Sequence, residues 1–512
     1  MKTLKLIFTG LFLLGLQSVL AQDAKPNILL ITLDDMNWDS PGSYGGIIPD
    51  LTPAIDELAE NGIKFENAYV QAPNCSPSRV VIQTGMYPHQ SGMRGFYYVQ
   101  DNVETLPEIL MDNGYFTGVL NKKADSSLSP DFYEYWDIST TIGGGDKRSA
   151  YEYEVLVDNF LNKAKRKDRP FYCVVNIADP HKPFFNDPKS QKKGFDKFKP
   201  SKIYTLDDVE IPEFLPETDL IKQQVLNYYN SVRRGDDCVA SVMQTLKASG
   251  LDKNTIVILL SDHGMPFPYA KSTIYQNGVK TPMIVTWPGN IEKSTVNETD
   301  LVSAIDIAPT ILDITNLPVP ESFEGKSFQQ SLFNRNSEPN EYVFAQYDEN
   351  AGGIPRPSRT IISQKYGYVF NPWATGDYKF ISAATHQKTY KQMRRLSDSD
   401  ENIKKRFEFW IHRTVEELYD YENDPNALNN LIDNPAYKEV VQQLREELHQ
   451  HMKNTNDYVL RAFENKDDHS YLNSWMKEQL ENAFERQKTI KWKRWKNKSG
   501  KTKNNKALYS VN

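Results

Sequence analysis

Ile28-Leu29-Leu30-Ile31-Thr32-Leu33 runs straight into Asp34-Asp35. A continuous, β-branched apolar run suits a strand buried on both faces, as in a largely parallel sheet. The two adjacent carboxylates at its end repel one another unless a cation or a paired charge relieves them. The same grammar recurs three times. Phe116 to Leu120 leads into Asn121-Lys122, Phe171 to Ile177 into Asp179-Pro180-His181, and Ile256 to Leu260 into Ser261-Asp262-His263-Gly264. Helical patterns lie between these runs, at Leu51 to Asn61, Thr105 to Asn113, Tyr151 to Lys165 and Asp219 to Ser249. Strand alternating with helix predicts an α/β fold. Sheets of that class bind ligands beyond the carboxyl ends of their strands, which is where the polar groups fall.

A second stretch, Cys75-Ser76-Pro77-Ser78-Arg79, is followed by Thr84-Gly85. Pro77 fits the first turn of a helix, where its missing N–H costs nothing, and Gly85 can end that helix. Residue 75 then sits at a helix N-terminus, where free N–H groups and the helix dipole favour an anion. Arg79, one turn on, can stabilise an oxyanion there. Without further context the same run also reads as a buried cysteine ahead of a proline-started helix.

The run resembles the signature of the formylglycine-dependent (type I) sulfatases, in which the cysteine of C-x-P-S-R is oxidised to an aldehyde. The resemblance implies an alkaline-phosphatase-like fold: a large mixed, mostly parallel sheet between helices, with a smaller C-terminal α+β subdomain. It implies that Cys75 becomes formylglycine through a maturation enzyme and that the hydrated aldehyde attacks sulfur. It also implies one Ca²⁺ per chain, held by Asp34, Asp35, Asp262, His263 and residue 75. In this family Asn usually follows the second Asp, and His263 stands there in this chain. Lys122, His181 and Lys271 fall where sulfatases carry two sulfate-binding cations and the acid that protonates the leaving group. Many relatives read G-K-x-H at the Lys122 element. Here Asn121-Lys122-Lys123-Ala124 lacks the histidine, so either another group takes its role, or the alignment is shifted, or turnover is altered.

The chain has 512 residues and a formal charge of −7, a balance that advertises no nucleic-acid surface. Met1-Lys2-Thr3-Leu4-Lys5, an apolar stretch to Leu20 and Ala21 read as a secretory signal covering residues 1–21. The expected product is exported, periplasmic or secreted, with no membrane span after cleavage. Cys173 and Cys238 lie in apolar strand-like and helical contexts and read as buried thiols. Residues 22–345 form the expected catalytic domain and 346–487 the C-terminal subdomain. The latter carries the sulfatase-like Glu417-Leu418-Tyr419-Asp420, Asp424-Pro425 and Asn430-Leu431. Residues 488–512 are a basic tail, read as solvated chain or as a contact for anionic polysaccharide.

Within the family, His89-Gln90-Ser91-Gly92-Met93 and Ser261 to Pro268 resemble sulfamidase-like members, some of whose bacterial relatives are similar to ulvan sulfatases. The implied substrate is a sulfated oligo- or polysaccharide such as ulvan, with N-sulfoglucosamine as the alternative. Arg94, Arg356 and Arg359 are candidates for binding a uronate carboxylate or a neighbouring sulfate, because Arg matches planar oxyanions. Trp38, Tyr97, Tyr98 and Trp373 are candidates for stacking on sugar rings, with core packing as the other reading. A phosphatase or phosphonate hydrolase of the same fold, and a non-catalytic glycan-binding protein, stay open at this point.

Overall fold

A computed structural model describes residues 25–489, apart from 101, 127, 129–134, 144–145 and 336–337. Fourteen strands are described: β1 Asn27–Asp34, β2 Ile63–Phe65, β3 Ala68–Tyr69, β4 Phe116–Leu120, β5 Ile138–Thr140, β6 Phe171–Pro180, β7 Thr255–Ser261, β8 Met283–Thr286, β9 Thr295–Asn297, β10 Val302–Ser303, β11 Val343–Glu349, β12 Pro355–Ile362, β13 Tyr366–Phe370 and β14 Glu416–Asp420. Eight of them form one sheet in the order β5-β4-β6-β1-β7-β8-β2-β9. β1 is parallel to both its neighbours, with Ile28 opposite Tyr172 on one side and Ile256 on the other. All eight β1 residues are buried, which explains the unbroken apolar run. β8 runs against β7 and β2, so the sheet is mixed but mostly parallel.

The helix Asp219–Ser249 falls where its periodicity places it. It packs against the helix Ala150–Lys167 and against β6. A second sheet, β11-β12-β13-β14, is antiparallel and begins at Val343, just ahead of the expected boundary. The helices Lys438–Asn454 and His469–Thr489 cover it. β12 had no sequence signal, because Arg356, Pro357 and Arg359 interrupt its apolar pattern. All eight of its residues are nevertheless buried. Cys75, Cys173 and Cys238 are free and buried. Among the described residues no helix is long and apolar enough to cross a membrane. The expected signal at 1–21 lies outside the described residues, as does the basic tail beyond the helix end at Thr489.

Candidate active site

β4, β6, β1 and β7 are neighbours and all parallel. Their carboxyl ends therefore open on one edge, and the polar residues that follow each strand meet there. Backbone ties fix the β1 and β7 ends to one another. Asp262 N–H donates to Leu33 O at 3.0 Å, Met36 N–H to Ser261 Oγ at 3.0 Å and Asp35 N–H to Asp262 Oδ1 at 3.1 Å. Asp35 adopts φ 74°, a conformation that a non-glycine residue holds only when its surroundings impose it. Gly264 is obligatory after His263, since a Cβ would stand 1.8 Å from Asn277 O.

Cys75 is the first residue of the helix Cys75–Thr84, as the motif predicts, and the helix ends at Gly85 with φ 58°. Its Sγ lies 3.6 Å from Asp34 Oδ1, 3.4 Å from His263 Nε2 and 3.3 Å from Lys271 Nζ. In an oxidised residue 75, an aldehyde-derived oxygen takes the place of this sulfur. Burial pushes the thiol up to about 12, with Lys271 opposing and Asp262 and Asp35 adding, so the unmodified side chain is a poor nucleophile. Arg79 is buried behind it. Its Nη2 donates to Asp262 Oδ2 at 2.8 Å, and its Nη1 to Thr32 Oγ1 and Asn176 Oδ1. Burial opposes ionisation of Asp262, yet the cations Arg79, Lys122 and Lys271 around it hold the carboxyl below the ordinary carboxylate range.

The donor set suits a hard divalent cation. Asp34, Cys75, Asp262 and His263 each place a ligand atom within 4.8 Å of the others, and Asp35 Oδ1 lies 3.4 Å from His263 Nε2. Asp35 Oδ2 is buried and has no hydrogen-bond partner among the described residues, as expected of a carboxylate oxygen turned toward a cation. His263 Nδ1–H donates to Gly264 O at 3.0 Å. That bond leaves the Nε2 lone pair facing the carboxylates, the arrangement metal-binding histidines use. Burial pulls His263 down and keeps the ring neutral.

Two lysines are tied to this set. Lys122 Nζ pairs with Asp34 Oδ2 and lies 3.5 Å from Asp125 Oδ2. Lys271 Nζ lies 2.5 Å from Asp35 Oδ1. Burial works against the Lys271 charge, but Asp35 outweighs it and holds the ammonium protonated. His181 places a ring nitrogen within 4.8 Å of ligand atoms of Asp34, Asp35 and Cys75. Its Nδ1–H donates to Lys182 O at 2.7 Å. Burial, and then Lys271, Lys122, Arg148 and Lys147, push it well below the ordinary histidine range.

The fold thus brings Cys75, Arg79, Lys122, His181, Lys271, Asp34, Asp35, Asp262 and His263 together. It does not do so for two of the arginines. Arg359 is buried in the C-terminal subdomain, with Nε 2.5 Å from Asp457 Oδ2 and Nη2 3.0 Å from Asp348 Oδ1. Arg356 is buried too, donating to Lys379 O and Pro355 O at 2.7 Å each. Both guanidinium groups are consumed inside the fold and are corrected from substrate-binding to structural. Arg94 remains half-buried, stacked 3.7 Å over the Tyr458 ring. Trp373 is core, donating to Ser358 Oγ, and Tyr97 is buried on Glu349.

Sequence reasoning missed the group that positions His181. Asp179 accepts from Arg148 Nη1, from Arg234 Nε at 2.7 Å and from Arg234 Nη2 at 3.1 Å. Arg148 Nη2 donates to His181 O at 2.5 Å. The two arginines come from chain positions far from the strand end, and neither carries a local motif. Asp125 was missed as well. It is buried one residue past Ala124 and accepts from Ser76 Oγ at 3.1 Å.

The chain is similar to known proteins over most of its length. The family model described as Sulfatase matches residues 26–317. A second, described as N-sulphoglucosamine sulphohydrolase, C-terminal, matches 262–401 and 378–454. An ulvan-active sulfatase of Formosa agariphila is 27% identical over 467 residues, covering 83% of this chain and 74% of that protein. The N-sulphoglucosamine sulphohydrolase of Homo sapiens is 28% identical over 471 residues, covering 85% and 91%. Among solved structures, a 2-O GAG sulfatase superposes with a TM-score of 0.63 at 20% identity, covering 85% of this chain and 93% of that one.

Proposed function

The chain belongs to the sulfatase family, and from that premise we propose that it is an exported enzyme that removes sulfate from a sulfated carbohydrate through a formylglycine made from Cys75. The observation that carries the reading is the placement of Cys75. It stands at a helix N-terminus, against Asp34, His263 and Lys271, with Arg79 one turn behind. A converted residue 75 accounts for a cysteine placed where an anion is received but whose thiol burial holds far from ionisation.

Asp34, Asp35, Asp262 and His263 would hold the divalent cation, and their oxygen-rich set favours Ca²⁺. Bound there, the ion offsets charge on sulfate oxygens and eases ionisation of a nearby hydroxyl. The chain's own residues do the rest. One hydroxyl of the hydrated aldehyde gives up its proton to the Asp34–Asp262 carboxylates and its oxygen attacks sulfur. The bond from sulfur to the sugar oxygen or nitrogen breaks, and His181 protonates that leaving atom with Lys271 beside it. Burial, and then the surrounding cations, keep His181 neutral by itself; the incoming sulfate brings negative charge that lets the ring take up a proton from water, and this is the proton it gives to the leaving atom. Arg79, Lys122 and Lys271 offset the charge spread over the transferring SO₃ group, the electrostatic contribution that usually dominates such reactions. The second hydroxyl then loses its proton, the aldehyde re-forms and sulfate leaves. With alanine at 124, the Asp125 carboxylate, held by Ser76 and close to Lys122, is the acceptor this side of the site offers.

Ulvan-type polysaccharide and N-sulfoglucosamine are the two substrates the relatives support. The test is sulfate release by calcium-loaded protein whose formylglycine is confirmed by mass, with Cys75→Ala as control. Release from ulvan oligosaccharides alone makes it an O-sulfatase, and release from N-sulfoglucosamine alone a sulfamidase. Turnover of phosphate esters in preference to both, or full activity in Cys75→Ala, would sink the proposal.

A further inference from the structure

We propose that Lys182 and Gln387 form a second oxyanion subsite beside the sulfate pocket, which takes a carboxylate or a further sulfate of the same saccharide. The inference rests on the sulfatase reading and specifies what the site recognises besides the scissile group. Lys182 follows His181 in the turn after β6. Its ammonium stands 4.9 Å from the centroid of the Phe184 ring and 5.0 Å from that of Phe267. Phe267 belongs to the loop that runs from Asp262 to Lys271. Lys182 is therefore clasped between the loop that carries His181 and the loop that carries Lys271, and the two ring faces hold its charge in place.

What distinguishes Lys182 from the other site lysines is the lack of a counter-charge in contact. Lys122 meets Asp34 and Asp125, and Lys271 meets Asp35. Among the described residues Lys182 Nζ makes no ion pair, and its hydrogen bond goes to Gln387 Oε1 at 2.7 Å. An ammonium has three donors, so two are left to give. The charged groups that face it are Asp187 and Asp35 on one side of the balance, Lys388 and Lys271 on the other. Asp187, the strongest of these, is already shared: it accepts from Gln224 Nε2 at 3.1 Å and lies 3.5 Å from Lys388 Nζ. Burial outweighs both carboxylates and pulls Lys182 down to about 7. An oxyanion in contact would remove that cost.

The second half of the subsite comes from the other subdomain. Gln387 precedes the helix Lys388–Leu396, and with its Oε1 on Lys182 its amide nitrogen offers two further donors. A lysine is a point charge without the planar preference of arginine, so it accepts tetrahedral sulfate and planar carboxylate alike. The subsite thus spans both subdomains, and it is assembled only when residues 371–413 are docked near the His181 turn.

Binding to the full-length Cys75→Ala protein tests this without turnover. Two probe pairs are titrated calorimetrically: glucosamine 2-N,6-O-disulfate against glucosamine 2-N-sulfate, and a 2-O-sulfated hexuronate against the matching 2-O-sulfated hexose. The doubly anionic member of at least one pair should bind about tenfold more tightly, the scale of one charge-assisted hydrogen bond. The first pair reports a sulfate preference and the second a carboxylate preference. Lys182→Met and Gln387→Leu, each in the same background, should abolish most of the advantage, and Lys182→Arg should keep it. Equal affinities within both pairs, or an advantage that survives Lys182→Met, overturns the subsite. Sulfate release by the formylglycine-bearing protein is read separately. Failure there contradicts the proposed activity, while the binding ratio still decides the subsite.

Discussion

Asp179→Asn isolates the device that aims His181. Asp179 is 1% exposed and lies between Arg148, 1% exposed, and Arg234, 1% exposed. Its two oxygens accept three guanidinium contacts. The asparagine is nearly isosteric, so the packing stays, but the charge goes and an NH₂ group faces N–H donors. Two buried cations then lack their anion, a situation that costs about 3–5 kcal/mol when one partner of a buried pair is removed. The catalytic effect has a separate origin. Arg148 Nη2 holds His181 O at 2.5 Å, and a displacement of the acid of about 1 Å is enough for a loss of roughly 10²-fold. Urea unfolding followed by tryptophan fluorescence reads the first number, and kcat on a sulfated substrate at a urea-free, folded temperature reads the second. A variant that unfolds within about 0.5 kcal/mol of the parent, the range of ordinary surface changes, would refute the clamp. A variant that is destabilised but keeps its kcat would refute the link to His181.

Two further outcomes are expected. Asp35→Asn removes a charge from the cation site and should lower bound calcium by at least about tenfold; unchanged metal content after dialysis would show that the ion is held elsewhere. His451 is stacked on Phe344 with centroids 3.8 Å apart, beside Tyr87, and burial, with His89 nearby, pushes its pKa down to about 3. Its folded value lies below the unfolded value of about 6.5, so stability is whole above that pH and falls as pH drops, by up to ~2 kcal/mol at pH 5. His451→Phe should flatten the difference between urea midpoints at pH 7 and pH 5, and an unchanged slope would contradict this.

Much of the site was legible because its residues sit beside strong local signals. A strand buried on both faces must be continuously apolar, so β1, β4, β6 and β7 announce themselves, and the first polar residues after them mark the ligand edge. The helix after Asn74 was legible from Pro77 and Gly85 for the same local reason. β12 was not legible, because its arginines are buried by polar partners rather than by apolar composition: Arg359 by ion pairs with Asp348 and Asp457, and Arg356 by the backbone carbonyls of Lys379 and Pro355. The same contacts explain why two arginines that suit a substrate anion are spent inside the fold.

The sequence by itself determined the fold class, the strand ends and the chemistry-bearing residue types, since each follows from periodicity or from neighbours along the chain. The tertiary structure alone decided which charges are paired and which are left to bind. Asp179 is neutralised by arginines 31 and 55 residues away in sequence, Arg359 by a carboxylate 98 residues away, while among the described residues Lys182 Nζ makes no ion pair and hydrogen-bonds to Gln387 Oε1. Electrostatic pairing depends on distance and burial, and neither is fixed until the strands and both subdomains have come together.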